Sequence, residues 1–218
     1  LFCKGNLSLL KNPRAIAVVG TRNNSPKGAL IATKTVEAFH NRKFVIVSGL
    51  ALGIDTIAHK AALKFGAPTV AVLVDLSKIS PSTNKDLAEQ ILQNDGLLVA
   101  ENKPGTLTVA ALFAKRDRIQ SGLSTAVFAI ETSKDGGTMH AVKAAGKMGR
   151  PIFVPDVIAA RYNDLTLDVI QGTQYLLEEG MARAYTSESY ESISQELDEI
   201  SQRLNGNSSS KSQKELPL

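Results

Sequence analysis

Cysteine is nearly absent: Cys3 stands alone, which excludes an intrachain disulfide and suits a reducing compartment. The three histidines, His40, His59 and His140, lie far apart and no cysteine cluster exists, so the spacing of a metal site is missing. No apolar run reaches membrane-spanning length, and the start Leu1-Phe2-Cys3-Lys4-Gly5 lacks the shape of a signal peptide. No repeat occurs at a solenoid period. These absences lead us to expect a soluble, cytoplasmic protein with no metal and no membrane contact. Because residue 1 is leucine, part of the natural N-terminus is expected to be missing.

What is present is an apolar fraction of 43% in 218 residues, enough for one substantial core and a small appendage. Net charge is only +4, yet its distribution is uneven. Lys and Arg gather around 103 to 118 and 134 to 150, while Asp and Glu are numerous from 178 to 199. Such local charge predicts a basic surface and a polyanionic partner.

Short apolar runs alternate with amphipathic stretches. Strands are predicted at 15–19, 43–47, 68–74, 97–100, 125–130 and 152–154, with helices near 26–41, 53–65, 84–94, 107–121 and 137–148. Strands this apolar are buried on both faces, so the fold class is α/β with a doubly wound, mostly parallel sheet and ligands at the carboxyl ends of its strands. Residues 1–185 form the main domain in this reading. Residues 186–205 form a C-terminal helix whose apolar seam, Tyr190, Ile193, Leu197, Ile200 and Leu204, docks on its own domain or pairs with another chain. Residues 206–218 have the composition of a flexible tail.

Four segments at predicted strand ends carry candidate chemistry. The first runs from Val45 to His59, where Ser48, Gly49 and Gly53 open the way for backbone N–H groups and a helix N-terminus to meet a phosphate. On that helix Asp55 and His59 pair or cap structurally, because two ligands without a third make a poor metal site. The second is Val19-Gly20-Thr21-Arg22, a tight turn delivering an arginine able to fork two phosphate oxygens, or else to pair with a carboxylate. It is not G-x-G-x-x-G, and Ser48 replaces the acidic residue that a dinucleotide cofactor would need.

The third segment holds Phe113, Lys115, Arg116 and Arg118. Three cations spread around a helix cannot meet one phosphate but can follow successive phosphates, with Phe113 stacking on a base or buried in the core. In the fourth, the N–H groups of Gly136, Gly137 and Thr138 converge as a second anion nest, unless Asp135 or Thr138 merely caps the helix.

Together these segments resemble the DNA-processing protein A family, also called DprA or Smf, over about residues 5 to 185. The resemblance rests on Val19-Gly20-Thr21-Arg22, on Ser48-Gly49-Leu50-Ala51 with Gly53-Ile54-Asp55 and Ala58-His59, and on Phe113 with Arg116-Asp117-Arg118 and Gly122-Leu123-Ser124. Gly137-Thr138, Gly149-Arg150 through Val154-Pro155 and Gly172-Thr173-Gln174 extend it. It implies an extended Rossmann-like domain that binds single-stranded DNA without catalysis or cofactor, forms homodimers and helps load a RecA-type recombinase during natural transformation. By the resemblance, Arg22, Lys115, Arg116 and Arg118 grip the DNA backbone. Asp117 departs from the family's usual asparagine, and a carboxylate among phosphates repels by roughly 1 kcal/mol or more at close range. Asp156 departs from a usual glycine, and the helical and winged-helix domains that flank the core in many members are expected to be absent.

Two rivals use the same superfamily fold. Phosphoribohydrolases of the lysine-decarboxylase-like group share a Gly-Gly-x-Gly-Thr turn but need a glutamate three residues after the threonine, where this chain has Ala141. A nucleotide-signal sensor would bind one small phosphorylated ligand. The cations from 115 to 118 favour a polynucleotide over either.

Overall fold

The six predicted strands are all present in the computed structural model, which describes residues 1–209, and they pair into one sheet. They are β2 (Ala15–Val19), β3 (Val45–Ser48), β4 (Thr69–Leu73), β5 (Leu97–Ala100), β6 (Ala126–Ala129) and β7 (Ile152–Pro155). Two short strands at the margins escaped the sequence pattern: β1 (Phe2–Gly5) and β8 (Arg183–Tyr185). The order is β1-β5-β4-β3-β2-β6-β7-β8, parallel throughout except for β1, which runs antiparallel to β5 with Cys3 opposite Val99. Every residue of β2 to β7 is buried, as the uninterrupted apolar runs require of strands covered on both faces.

The helices are α1 (Pro26–Asn41), α2 (Ile54–Phe65), α3 (Lys85–Gln93), α4 (Ala110–Gly122), α5 (Thr138–Lys147), α6 (Asp168–Glu178) and α7 (Tyr190–Ser209). On one face Ile16, Val18, Ile46 and Phe128 pack beneath α1, α2 and α7, with α3 covering Ala71 and Leu98. On the other, Val47, Val72 and Val99 lie beneath α4, and Ala17, Val127 and Val154 beneath α5 and α6. The sequence left the choice of partner for α7 open. Tyr190, Ile193 and Leu197 enter the core beside Phe39 and Tyr185, while Asp198 pairs with Arg14 at 3.1 Å and Glu191 with Arg42 at 2.9 Å, so the seam docks on its own domain. The helix continues to Ser209, into the stretch expected to be tail; residues 210–218 lie outside the described residues.

Winding reverses at β2. Its neighbours are β3 on one side and β6 on the other, with Ala17 opposite both Val47 and Val127. The chain leaving β2 turns toward α1 on one face and the chain leaving β6 toward α5 on the other, so a crevice opens between them at the carboxyl edge. None of the described helices is long and apolar enough to cross a membrane.

Candidate functional site

The crevice is a cleft of about 400 Å³. Its walls are Gly20, Thr21 and Arg22 after β2, Thr132, Ser133 and Gly136 to Thr138 after β6, and the inner side of α4, from which Phe113, Arg116, Asp117 and Gln120 face in. Residues at the N-termini of α2 and α5 line it, and α1 begins a few residues beyond the Arg22 turn; each helix start is a partial positive charge with orphan N–H groups. Their fates differ.

The N-terminus of α1 is filled by the protein itself. Ser25 caps the helix by accepting from Gly28 N at 3.0 Å, and Glu131, fully buried at the end of β6, takes Ser25 N at 2.9 Å and the Ser25 hydroxyl at 2.5 Å. A Cβ on Gly28 would overlap that carboxylate. A carboxylate thus stands at the switch point, where a doubly wound fold places a pyrophosphate. This supplies the physical reason for the missing G-x-G-x-x-G.

The N-terminus of α2 is engaged in part, and Ser48, Gly49 and Gly53, expected to open it to phosphate, serve contacts within the chain instead. Ile54 N donates to Thr21 O at 3.2 Å, and a side chain on Gly53, whose φ is +74°, would collide with the Thr21 and Arg22 carbonyls. Gly53 therefore seats the arginine turn. Ser48 is fully buried and its hydroxyl donates to Val18 O at 2.7 Å, tying β3 to β2. Gly49 leaves room for the Arg116 guanidinium, which any Cβ there would overlap. These three residues shape the site from below.

The N-terminus of α5 is open. Its capping position is Gly137, with no side-chain cap, so neither Asp135 nor Thr138 closes it. Gly136 N is already committed to Ser133 O at 3.1 Å, while no partner is found among the described residues for the N–H groups of Gly137 and Thr138. Across the cleft Arg22 makes no ion pair among the described residues, which removes the bland carboxylate reading, and its guanidinium lies 5.9 Å from the Phe113 ring. Phe113 is only partly buried and lies outside the core clusters.

The cations of α4 are not one track, a second correction. Lys115 and Arg118 leave the helix together, three residues apart, and both pair with Glu101, whose carboxyl the Arg118 hydrogen bond holds below the usual carboxylate range. Arg116 points the other way. It is 5% exposed, and its Nη1 donates to Gly49 O at 2.6 Å and Val72 O at 2.7 Å. Asp55 faces it from α2, its carboxyl raised by burial against the pull of Arg116 and the Ala51 N–H. Asp117 lies 3.2 Å from Arg116 Nε and accepts from Gln120 Nε2 at 2.9 Å. Burial pushes the Asp117 carboxyl up to about 6 although Arg116 opposes this. His59 is not Asp55's partner: its Nδ1 meets the Thr69 hydroxyl at 2.9 Å, and burial lowers its pKa to about 3.

The sequence assigned no role in the site to Glu131, Gln120 or Gly172. A Cβ on Gly172 would overlap Thr132 O, so α6 props the loop that carries the open nest, and the Gly172-Thr173-Gln174 pattern was the available signal. Among the described residues no group of three His, Cys, Asp or Glu side chains could hold a metal ion.

The family model described as DNA recombination-mediator protein A matches residues 1–198. The DNA processing protein DprA of Streptococcus pneumoniae is 40% identical over 189 residues, 86% of this chain and 63% of that protein. Its counterpart from Bacillus subtilis is 33% identical over 173 residues, 78% of this chain and 58% of the relative. The chain thus spans less than two thirds of the length of these curated relatives. Among solved structures, DNA processing protein A of Helicobacter pylori superposes with a TM-score of 0.78 at 27% identity, covering 89% of this chain and 86% of its own. That structure is described as giving insight into a unique single-stranded DNA binding mode.

Proposed function

This chain belongs to the DNA recombination-mediator protein A family, and from that premise we propose that its cleft binds single-stranded DNA in DNA processing and recombination, without catalysing a reaction. The observation that carries this reading is the meeting of three groups in one cleft: the α5 N-terminus, where the N–H groups of Gly137 and Thr138 have no partner among the described residues, Arg22, which makes no ion pair among them, and the Phe113 ring beside it. Phosphate oxygens suit the amides and the guanidinium, and a base suits the ring. The resulting site follows Arg22, Phe113 and the α5 nest, with Gly20 and Thr21 as its floor, and leaves Lys115 and Arg118 on a separate rim. A RecA-type recombinase partner, a homodimer and a cytoplasmic place of action belong to the same reading on family membership alone.

The test is a titration of labelled oligo-dT, with duplex of equal length and AMP as competitors, at two salt concentrations. Two or three neutralised phosphates on a single strand give a slope of log K against log salt of about −1.5 to −2. Strong AMP binding with negligible oligonucleotide affinity would replace this reading by a mononucleotide sensor. Within the same assay, Phe113→Ala is expected to weaken oligo-dT by about 1–2 kcal/mol while leaving the salt slope unchanged, because a lost stacking platform changes no ion count. A changed slope would mean that the ring acts by holding Arg22.

A further inference from the structure

Asp117 places a carboxylate in the wall of a cleft that the preceding reading fills with phosphate. The charges around it can be counted by element. Arg116 and Asp117 come from α4, Asp55 from α2, Arg22 from the turn after β2 and His140 from α5, all lining the same cleft. With both carboxylates ionised, they balance the two arginines. Arg116 is moreover turned inward onto Gly49 O and Val72 O, which leaves Arg22 and the α5 amides to meet an incoming anion. One proton on Asp117 changes that balance to +1 without moving a residue. The local bonds tolerate it, since Gln120 Nε2 and Arg116 Nε both approach the same oxygen, Oδ1, leaving Oδ2 to carry the proton.

We propose that Asp117 couples anion binding in this cleft to the uptake of one proton, so that the affinity for single-stranded DNA falls as the pH rises. The inference rests on the proposed single-stranded DNA reading. Burial already pushes the Asp117 carboxyl up to about 6, and a phosphate nearby disfavours the ionised form further. The sign follows from linkage. A ligand that raises the pKa of an acid binds more tightly to the protonated form, so binding takes up a proton between the two pKa values and log K declines there by at most one unit per pH unit. His140 lies in the same cleft, so its share must be separated.

The experiment uses the full chain and oligo-dT by calorimetry from pH 5.5 to 8, in buffers of low and high ionisation enthalpy at constant salt. Wild-type protein is expected to take up a fraction of a proton near pH 7 and to lose about tenfold in affinity from pH 6 to 8. Asp117→Asn should bind more tightly at pH 8 and lose most of the pH dependence; Asp117→Ser should do the same if asparagine disturbs the Arg116 contact. His140→Gln should keep the dependence. Equal proton uptake by wild type and both Asp117 variants, or a flat profile in His140→Gln alone, overturns the proposal. Absence of oligo-dT binding by every variant at pH 5.5 overturns the DNA reading itself, whereas pH-independent binding by wild type overturns only the role of Asp117.

Discussion

Arg116→Met is expected to lower the free energy of unfolding by about 3–5 kcal/mol at neutral pH, the size seen when one partner of a buried charge pair is removed. Methionine approximates the length of the stem but donates nothing. The Gly49 and Val72 carbonyls would lose their common donor, and Asp55, at 5% exposure, would face the interior without the cation beside it. Urea denaturation followed by circular dichroism measures the loss. The penalty has a defined pH sense. Burial already raises the Asp55 pKa in the folded state, and removing the cation raises it further. An acid whose pKa is raised by folding contributes stability below its unfolded pKa and loses it as the pH climbs through the folded value. The variant should therefore be least impaired in acid and most impaired at neutral pH and above. Adding Asp55→Asn should recover part of the loss at neutral pH, and a cycle with no coupling between the two positions would refute the pairing.

Arg22→Ala is expected to weaken oligonucleotide binding by 10- to 100-fold, about 1.5–3 kcal/mol for lost charge-assisted hydrogen bonds. The salt slope should shrink by about 0.7, one single-strand phosphate, and all sequences should suffer alike. Stability should change by no more than about 0.5 kcal/mol, because the side chain is exposed and makes no ion pair among the described residues. The backbone beneath it is held independently: Thr21 N donates to Glu131 O at 2.8 Å and Ile54 N to Thr21 O at 3.2 Å. Truncating the side chain thus removes a contact without collapsing the turn. Unchanged affinity and slope would show that the arginine is not a phosphate ligand.

The contrast between Arg22 and Arg116 also shows where the sequence could be read. Central strands were legible because burial on both faces leaves an unbroken apolar run, as in Ala15–Val19, and a helix with Ser25 before Pro26 announces its own start. Edge strands were not. In β1 only Cys3 turns inward while Phe2 and Lys4 stay exposed, and β8 is three residues long. Helix α4 misled for another reason. Its inward side carries Arg116, Gln120 and Ser121 beside Ile119, so the rule that charged residues face solvent fails there. Three neighbouring cations looked like a rail for phosphates, whereas one is a buried strut and two are tethered to Glu101. Glycines misled similarly. Those at 49 and 53 signalled close approach correctly, but the approaching groups are a guanidinium and two carbonyls of the same chain.

Glu131 gives the molecule a resident counter-ion at the point where related architectures hold a diffusible one. A free nucleotide approaching that helix end would first have to evict a carboxylate that cannot leave, because the sheet is its anchor. An incoming anion therefore meets that helix end already neutralised, and finds positive groups instead at the α5 N-terminus and Arg22.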